Sequence, residues 1–187
     1  QSVLQVVGNR TLDEVVPALL VSMESEDEVT KTRALNGVTG ILSVRSRELL
    51  PYIIPRVLKA PLTISHADAL GSISAATSQT IHMHFNNIIP TLILELSSFH
   101  GVDLEEEKLR EEAARRCSRA ICHNVDTVGV NWLISEVVSK CTHDKQSVRK
   151  EACWFLQIIV EESTYLIFVI SCIFSFFLQS ALLVSDY

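Results

Sequence analysis

Val15-Val16-Pro17-Ala18-Leu19-Leu20, Ile53-Ile54-Pro55-Arg56-Val57-Leu58 and Ile88-Ile89-Pro90-Thr91-Leu92-Ile93 are three copies of one pattern, with prolines 38 and then 35 residues apart. A second element alternates with them. Ala34-Leu35 precedes Gly37 and Gly40, Ala69-Leu70 precedes Gly71, and Ala113-Ala114 and Ala152-Cys153 continue the series. Aligning Ala34, Ala69, Ala114 and Ala152 gives intervals of 35, 45 and 38 residues. A period of about 35–47 residues with two alternating helices belongs to HEAT and armadillo repeats. The expected fold is therefore all-α: a solenoid of stacked antiparallel helix pairs, with residues 1–162 making about four pairs.

The long interval coincides with Gly101-Val102-Asp103-Leu104-Glu105-Glu106-Glu107, read as a polar connection where added length costs little. Trp132 to Val138 fills the fourth proline position without a proline. Each unit pairs an A helix carrying small residues with a B helix of bulky aliphatics. Thr32 to Val44 places Leu35, Val38, Ile41 and Leu42 on one stripe. Ala34, Gly37 and Gly40 leave room for a neighbouring helix, although each glycine costs about 1 kcal/mol of helix propensity. Pro17, Pro55 and Pro90 mark either a helix start or a recurring bend, because proline breaks or kinks a helix interior.

Of the 187 residues 48% are hydrophobic, ample for a core, and the net charge of −6 argues against a general nucleic-acid binder. Five cysteines without a CxxC pair read as reduced, buried small hydrophobes of an intracellular protein. The chain begins at Gln1, so a missing N-terminus is expected.

The run Gly40-Ile41-Leu42-Ser43-Val44-Arg45-Ser46-Arg47-Glu48-Leu49-Leu50-Pro51-Tyr52-Ile53-Ile54-Pro55-Arg56-Val57-Leu58-Lys59-Ala60-Pro61 closely resembles the general-control-nonderepressible translational activator family. Ala67 to Ile73 and Asn87 to Pro90 are similar too. The resemblance spans roughly residues 1–162 and is sharpest from Asp27 to Leu96. It implies a large HEAT scaffold without catalytic activity, cytoplasmic and ribosome-associated. Such a scaffold activates the protein kinase of translation initiation factor 2 alpha at stalled ribosomes during amino-acid starvation. The implied partners are that kinase and the ribosome, with no cofactor and no small-molecule substrate. A generic HEAT adaptor, of transport or phosphatase-scaffold type, is the alternative.

Arg45, Arg47, Arg56 and Lys59 cluster around an A–B turn and the B helix after it. They are the candidate partner contacts, to ribosomal RNA or to an acidic protein face. The competing account is a solvated turn in which Arg47 and Glu48 interact weakly. Glu105 to Arg119 offers three i,i+4 pairs, Glu106 with Arg110, Glu111 with Arg115 and Glu112 with Arg116, each contributing about 0.2–0.5 kcal/mol on a solvated helix face. An acidic docking site is the other reading of that stretch. Trp132 and Trp154 are expected in the core, an exposed aromatic anchor being the alternative. His82-x-His84 does not share a helix face, and Cys117, Cys122 and His123 lack a completing ligand, so no metal site is expected. No nucleophile elbow, phosphate loop or HExxH occurs, and no catalytic residue is assigned.

Residues 163–187 form a separate apolar tail. Ser163 to Ser185 carries no charge, and Tyr165 to Val184 is long enough to span a bilayer core of about 20 residues. Three readings stand: a non-native gene end such as translated intron, the closing helix of the solenoid, or a membrane anchor.

Overall fold

The computed structural model describes residues 9–23, 25–99 and 104–162, and the tail readings lie outside them. These residues form helices and connecting turns with no strand among them. The helices are α1 (Asn9–Met23), α2 (Glu28–Val57), α3 (Ile64–Ala76), α4 (Phe85–Ser98), α5 (Glu105–Asn124), α6 (Thr127–Cys141) and α7 (Gln146–Glu162), with a 3-10 turn at Ile81–His84.

Alternation of A and B helices is visible in the packing. The first half of α2 carries Ala34, α3 carries Ala69, α5 carries Ala114 and α7 carries Ala152, and these alanines are all buried. Along this series α2 packs on α3, α3 on α5 and α5 on α7. The other series supplies the bulk: Leu50, Ile53 and Ile54 from α2, then Ile88, Ile89, Leu92 and Ile93 from α4, then Leu133 and Val137 from α6. α4 touches α5, α6 and α7, so one continuous core runs through successive units. A lone helix pair could not bury these faces, and stacking is what removes them from water.

Two boundaries differ from the sequence expectation. The turn anticipated between Val44 and Glu48 shrinks to one residue, because α2 continues through it with a single non-helical conformation at Arg45 (φ −132°, ψ 41°). Glu105, Glu106 and Glu107 are the first turn of α5 rather than a connection, and three acids there suit the positive end of the helix dipole. Gly101 to Asp103 lie outside the described residues.

The prolines are not helix starts. Pro17, Pro51, Pro55 and Pro90 all lie inside helices. Helix starts are marked instead by side-chain caps: Asp27 accepts from Thr30 N at 3.0 Å, Thr63 from His66 N at 3.2 Å and Asp126 from Gly129 N at 2.7 Å. The close approach expected at Gly37 is present, since a Cβ there would lie 3.1 Å from Leu19 Cδ2 of α1.

Candidate partner-binding surface

The kink at Arg45 turns the backbone where it passes the next two units. Beside it an open groove of about 810 Å³ is lined by Val44 to Glu48 of α2, by Gln79 and Thr80 just before the 3-10 turn and His82 within it, and by Asp126 and Val128 at the start of α6. Three successive units thus contribute to one concavity. The 3-10 turn makes this possible, because it contacts α2, α4 and α6 together.

Of the four candidate contacts, Arg45 and Arg47 line this groove, while Arg56 and Lys59 line a separate one of about 290 Å³ with Leu20, Val21, Pro55 and His66. Nine helical steps, roughly 14 Å at 1.5 Å each, separate Arg47 from Arg56. The structure therefore divides the cluster between opposite ends of one half-helix. Arg45 is half-buried, and its Nε lies 3.7 Å from Glu48 Oε2. Glu48 thus faces Arg45 rather than Arg47. Arg47, Arg56 and Lys59 are exposed and have no ion-pair partner among the described residues.

His82 and Asp126 form the floor. His82 Nδ1 is 4.0 Å from Asp126 Oδ1 and has no hydrogen bond, although the atom is buried. Asp126 caps α6, so its carboxylate is fixed by the backbone it serves. Burial holds the imidazole of nearby His84 below its ordinary range, favouring the neutral form.

The α5 charges behave otherwise. Arg110 does not pair with Glu106: its Nη2 lies 2.6 Å from Glu95 Oε1 of α4, and its Nε donates to Leu62 O. Leu62 N donates to the same Glu95 oxygen at 3.1 Å. Arg115 does meet Glu111 at 2.7 Å, but it also reaches buried Glu151 of α7 at 3.2 Å. Arg116 approaches Glu112 at 3.6 Å and Asp68 of α3 at 3.2 Å, and Arg119 joins Glu161 and Glu162. The face stays largely solvated, with Glu105, Lys108, Glu112 and Arg116 exposed, yet its arginines also bridge to neighbouring helices and are already engaged within the chain.

The tryptophans part company. Trp154 is half-buried, edge-on to Phe155 with centroids 5.7 Å apart and beneath the Arg115 guanidinium at 4.3 Å. Trp132 is 57% exposed, contrary to its expected core position. It lies one helical turn beyond exposed Val128, whose side chain borders the large groove, so the apolar strip on α6 starts at the groove's rim.

The cysteines are also heterogeneous. Cys117 and Cys122 are buried, and burial pushes the Cys122 thiol up to about 12. Cys153, by contrast, is exposed and Cys141 half-buried, which corrects the reading of all five as core residues. Among the described residues no group of three His, Cys, Asp or Glu side chains could hold a metal, and no helix is long and apolar enough to cross a membrane.

Comparison with known proteins agrees with the repeat architecture. Residues 49–172 match the family described as stalled ribosome sensor GCN1-like, HEAT repeats, a span that continues past Glu162. Similar proteins include Protein ILITYHIA of Arabidopsis thaliana, 32% identical over 70% of this chain and 4% of its own length. The eIF-2-alpha kinase activator GCN1 of Dictyostelium discoideum is 27% identical over 78% of this chain and 5% of its length. The stalled ribosome sensor GCN1 of Homo sapiens is 23% identical over 84% and 6%. The chain thus spans only about a twentieth of these relatives. No solved structure matches it.

Proposed function

The chain belongs to the GCN1-like HEAT-repeat family, and from that premise we propose that it is a segment of a non-enzymatic scaffold in translational control. The scaffold activates the kinase of translation initiation factor 2 alpha at stalled ribosomes, and its place of action is the cytoplasm. The observation that carries this reading is the family match over residues 49–172, joined to relatives named as a kinase activator and as stalled ribosome sensors. A solenoid suits the role, because stacked units offer a long surface on which several partners can sit at once.

Within the segment, the groove beside Arg45 and Arg47 is the partner-contact surface we favour. Arg47 is exposed and faces a concavity built from three units, whereas the α5 cations are spent on internal bridges. Exposed Trp132 adds an aromatic of the kind that dominates interface energetics. The test is capture of the purified 187-residue chain by ribosomes and, separately, by the kinase's N-terminal domain. Binding to either supports the scaffold reading, and binding to neither rejects it for this segment.

A further inference from the structure

We propose that Ser25 is a phosphorylation site for an acid-directed serine kinase, and that Lys31 and Lys59 receive its phosphate. Glu24-Ser25-Glu26-Asp27-Glu28 places four carboxylates around one hydroxyl, and Ser25 is the only serine of the chain whose next three residues are all acidic. Helix capping accounts for two of these acids, since Asp27 caps α2 and Glu28 sits in its first turn. It does not account for Glu26, which is exposed and joins no ion pair among the described residues. A run of acids after the acceptor is the charge pattern that selects a kinase with a basic substrate cleft. Ser25 lies between Met23 and Glu28, outside both helices, and its Oγ accepts from Asp27 N at 3.2 Å. The hydroxyl therefore stands in a short connection that a kinase can engage without unwinding a helix.

The receiving groups lie across a groove. Ser25, Lys31 of α2 and Lys59 of the α2–α3 connection line one open cavity of about 460 Å³. Lys59 is exposed and has no ion-pair partner among the described residues. Lys31 meets Glu28 at 2.7 Å, but that carboxylate is 81% exposed, and surface pairs of this kind contribute little. Both ammonium groups, on flexible stems, are thus available to a new anion. In the transfer, Ser25 Oγ bonds to the γ-phosphorus of ATP as the bond from that phosphorus to the β,γ-bridging oxygen breaks. ADP leaves with that electron pair, and the hydroxyl proton passes to the kinase's base. The product carries about −1.5 to −2 charge and three acceptor oxygens. Next to Glu26 and Asp27 alone it would be repelled, so the two lysines decide the sign. With them in place, the phosphate ties the α1–α2 turn to the α2–α3 connection.

The experiment incubates the folded 187-residue chain with casein kinase II, an acid-directed serine kinase, and ATP. Fragmentation of the tryptic peptide Thr11–Lys31 is expected to place one phosphate on Ser25, and Ser25→Ala to lose it. Phosphorus NMR then titrates the product. In the unaltered chain the second ionisation should fall below its usual value of about 6, because the lysines favour the dianion. In the double variant Lys31→Gln with Lys59→Gln it should return to that value or rise above it. Urea unfolding gives a second readout: phosphorylation should raise the midpoint of the unaltered chain and lower that of the double variant. Three results overturn the proposal: phosphate on another residue in place of Ser25, modification of Ser25 only in denaturant, or the same ionisation and midpoint change with and without the lysines.

Discussion

Arg115 and Glu151 meet across the seam between α5 and α7, with Nη1 3.2 Å from Oε2, and Glu151 is only 1% exposed. The same guanidinium donates to Glu111 on its own helix and covers the Trp154 ring. A carboxylate taken out of water is tolerated only with compensating charge and hydrogen bonds. Arg115 therefore fixes the register of two stacked units rather than decorating a surface.

Removing the cation while leaving the carboxylate should be costly. Arg115→Met is expected to destabilise the chain by about 3 kcal/mol, the range for breaking a buried pair on one side. Pairing it with Glu151→Met should recover much of the loss, because both polar partners are then gone. Urea unfolding of the two single variants and the double variant reads this directly; strictly additive losses would contradict it.

The sequence carried the repeat but not the wiring. Buried alanines at Ala34, Ala69, Ala114 and Ala152 were legible because close helix stacking demands small residues at a fixed period. The i,i+4 spacing points Arg110 at Glu106 because it sees only neighbours on one helix, while Glu95 lies on α4 and comes close through tertiary packing alone. The groove was hidden for the same reason. Its floor joins His82 to Asp126, and nothing local announces that a 3-10 turn brings them together. Residue type alone favours a core position for Trp132, yet it sits on α6 beside exposed Asn131, away from buried Leu133 and Val137.

The two faces of that comparison separate by substitution. Phe155→Ala empties a fully buried site and should cost about 3–5 kcal/mol. Trp132→Ala should change stability by no more than about 0.5 kcal/mol, as exposed positions do. If the Val128–Trp132 strip contacts a partner, the same variant should weaken capture by more than about 1 kcal/mol. Thermal unfolding and a binding titration together decide; a large stability loss at Trp132 would return it to the core.

Charge reversal tests the groove against its neighbour. Arg47→Glu should leave folding unchanged within about 0.5 kcal/mol, since the side chain is exposed and unpaired among the described residues. Ribosome or kinase capture should fall and become less sensitive to salt. The double variant Arg56→Glu with Lys59→Glu, on the separate groove, should retain binding. The opposite ranking would move the contact surface to the other end of the half-helix.

Asp27 gives a pH signature. Hydrogen bonds from the Thr30 side chain and backbone N–H hold its carboxyl below the usual range. A depressed folded-state value means that the ionised cap stabilises α2 above the unfolded value of about 3.9, and that this help is lost as pH falls through the folded value. The stability gap between the unaltered chain and Asp27→Ala should be full at neutral pH and shrink in acid below that window. Urea midpoints measured at neutral and acidic pH check the sign, and a gap that widens in acid would refute it.

Two glycines in helices should respond in opposite directions. A Cβ at Gly71 would sit 3.6 Å from Ala120 Cβ, an ordinary contact, so Gly71→Ala should gain up to about 1 kcal/mol from helix propensity and a less flexible unfolded chain. At Gly129 the same methyl would lie 2.6 Å from Val125 Cγ2, 3.0 Å from Asp126 Oδ1 and 3.1 Å from His82 Cβ. Val125 is β-branched and buried, so it cannot swing aside, and Gly129→Ala should lose about 1–3 kcal/mol through overpacking. The displaced neighbours are the cap of α6 and the floor of the groove, so partner capture should drop beyond the stability loss. Equal stabilisation by both alanines would show that the 3-10 turn does not press on α6 as closely as these distances require.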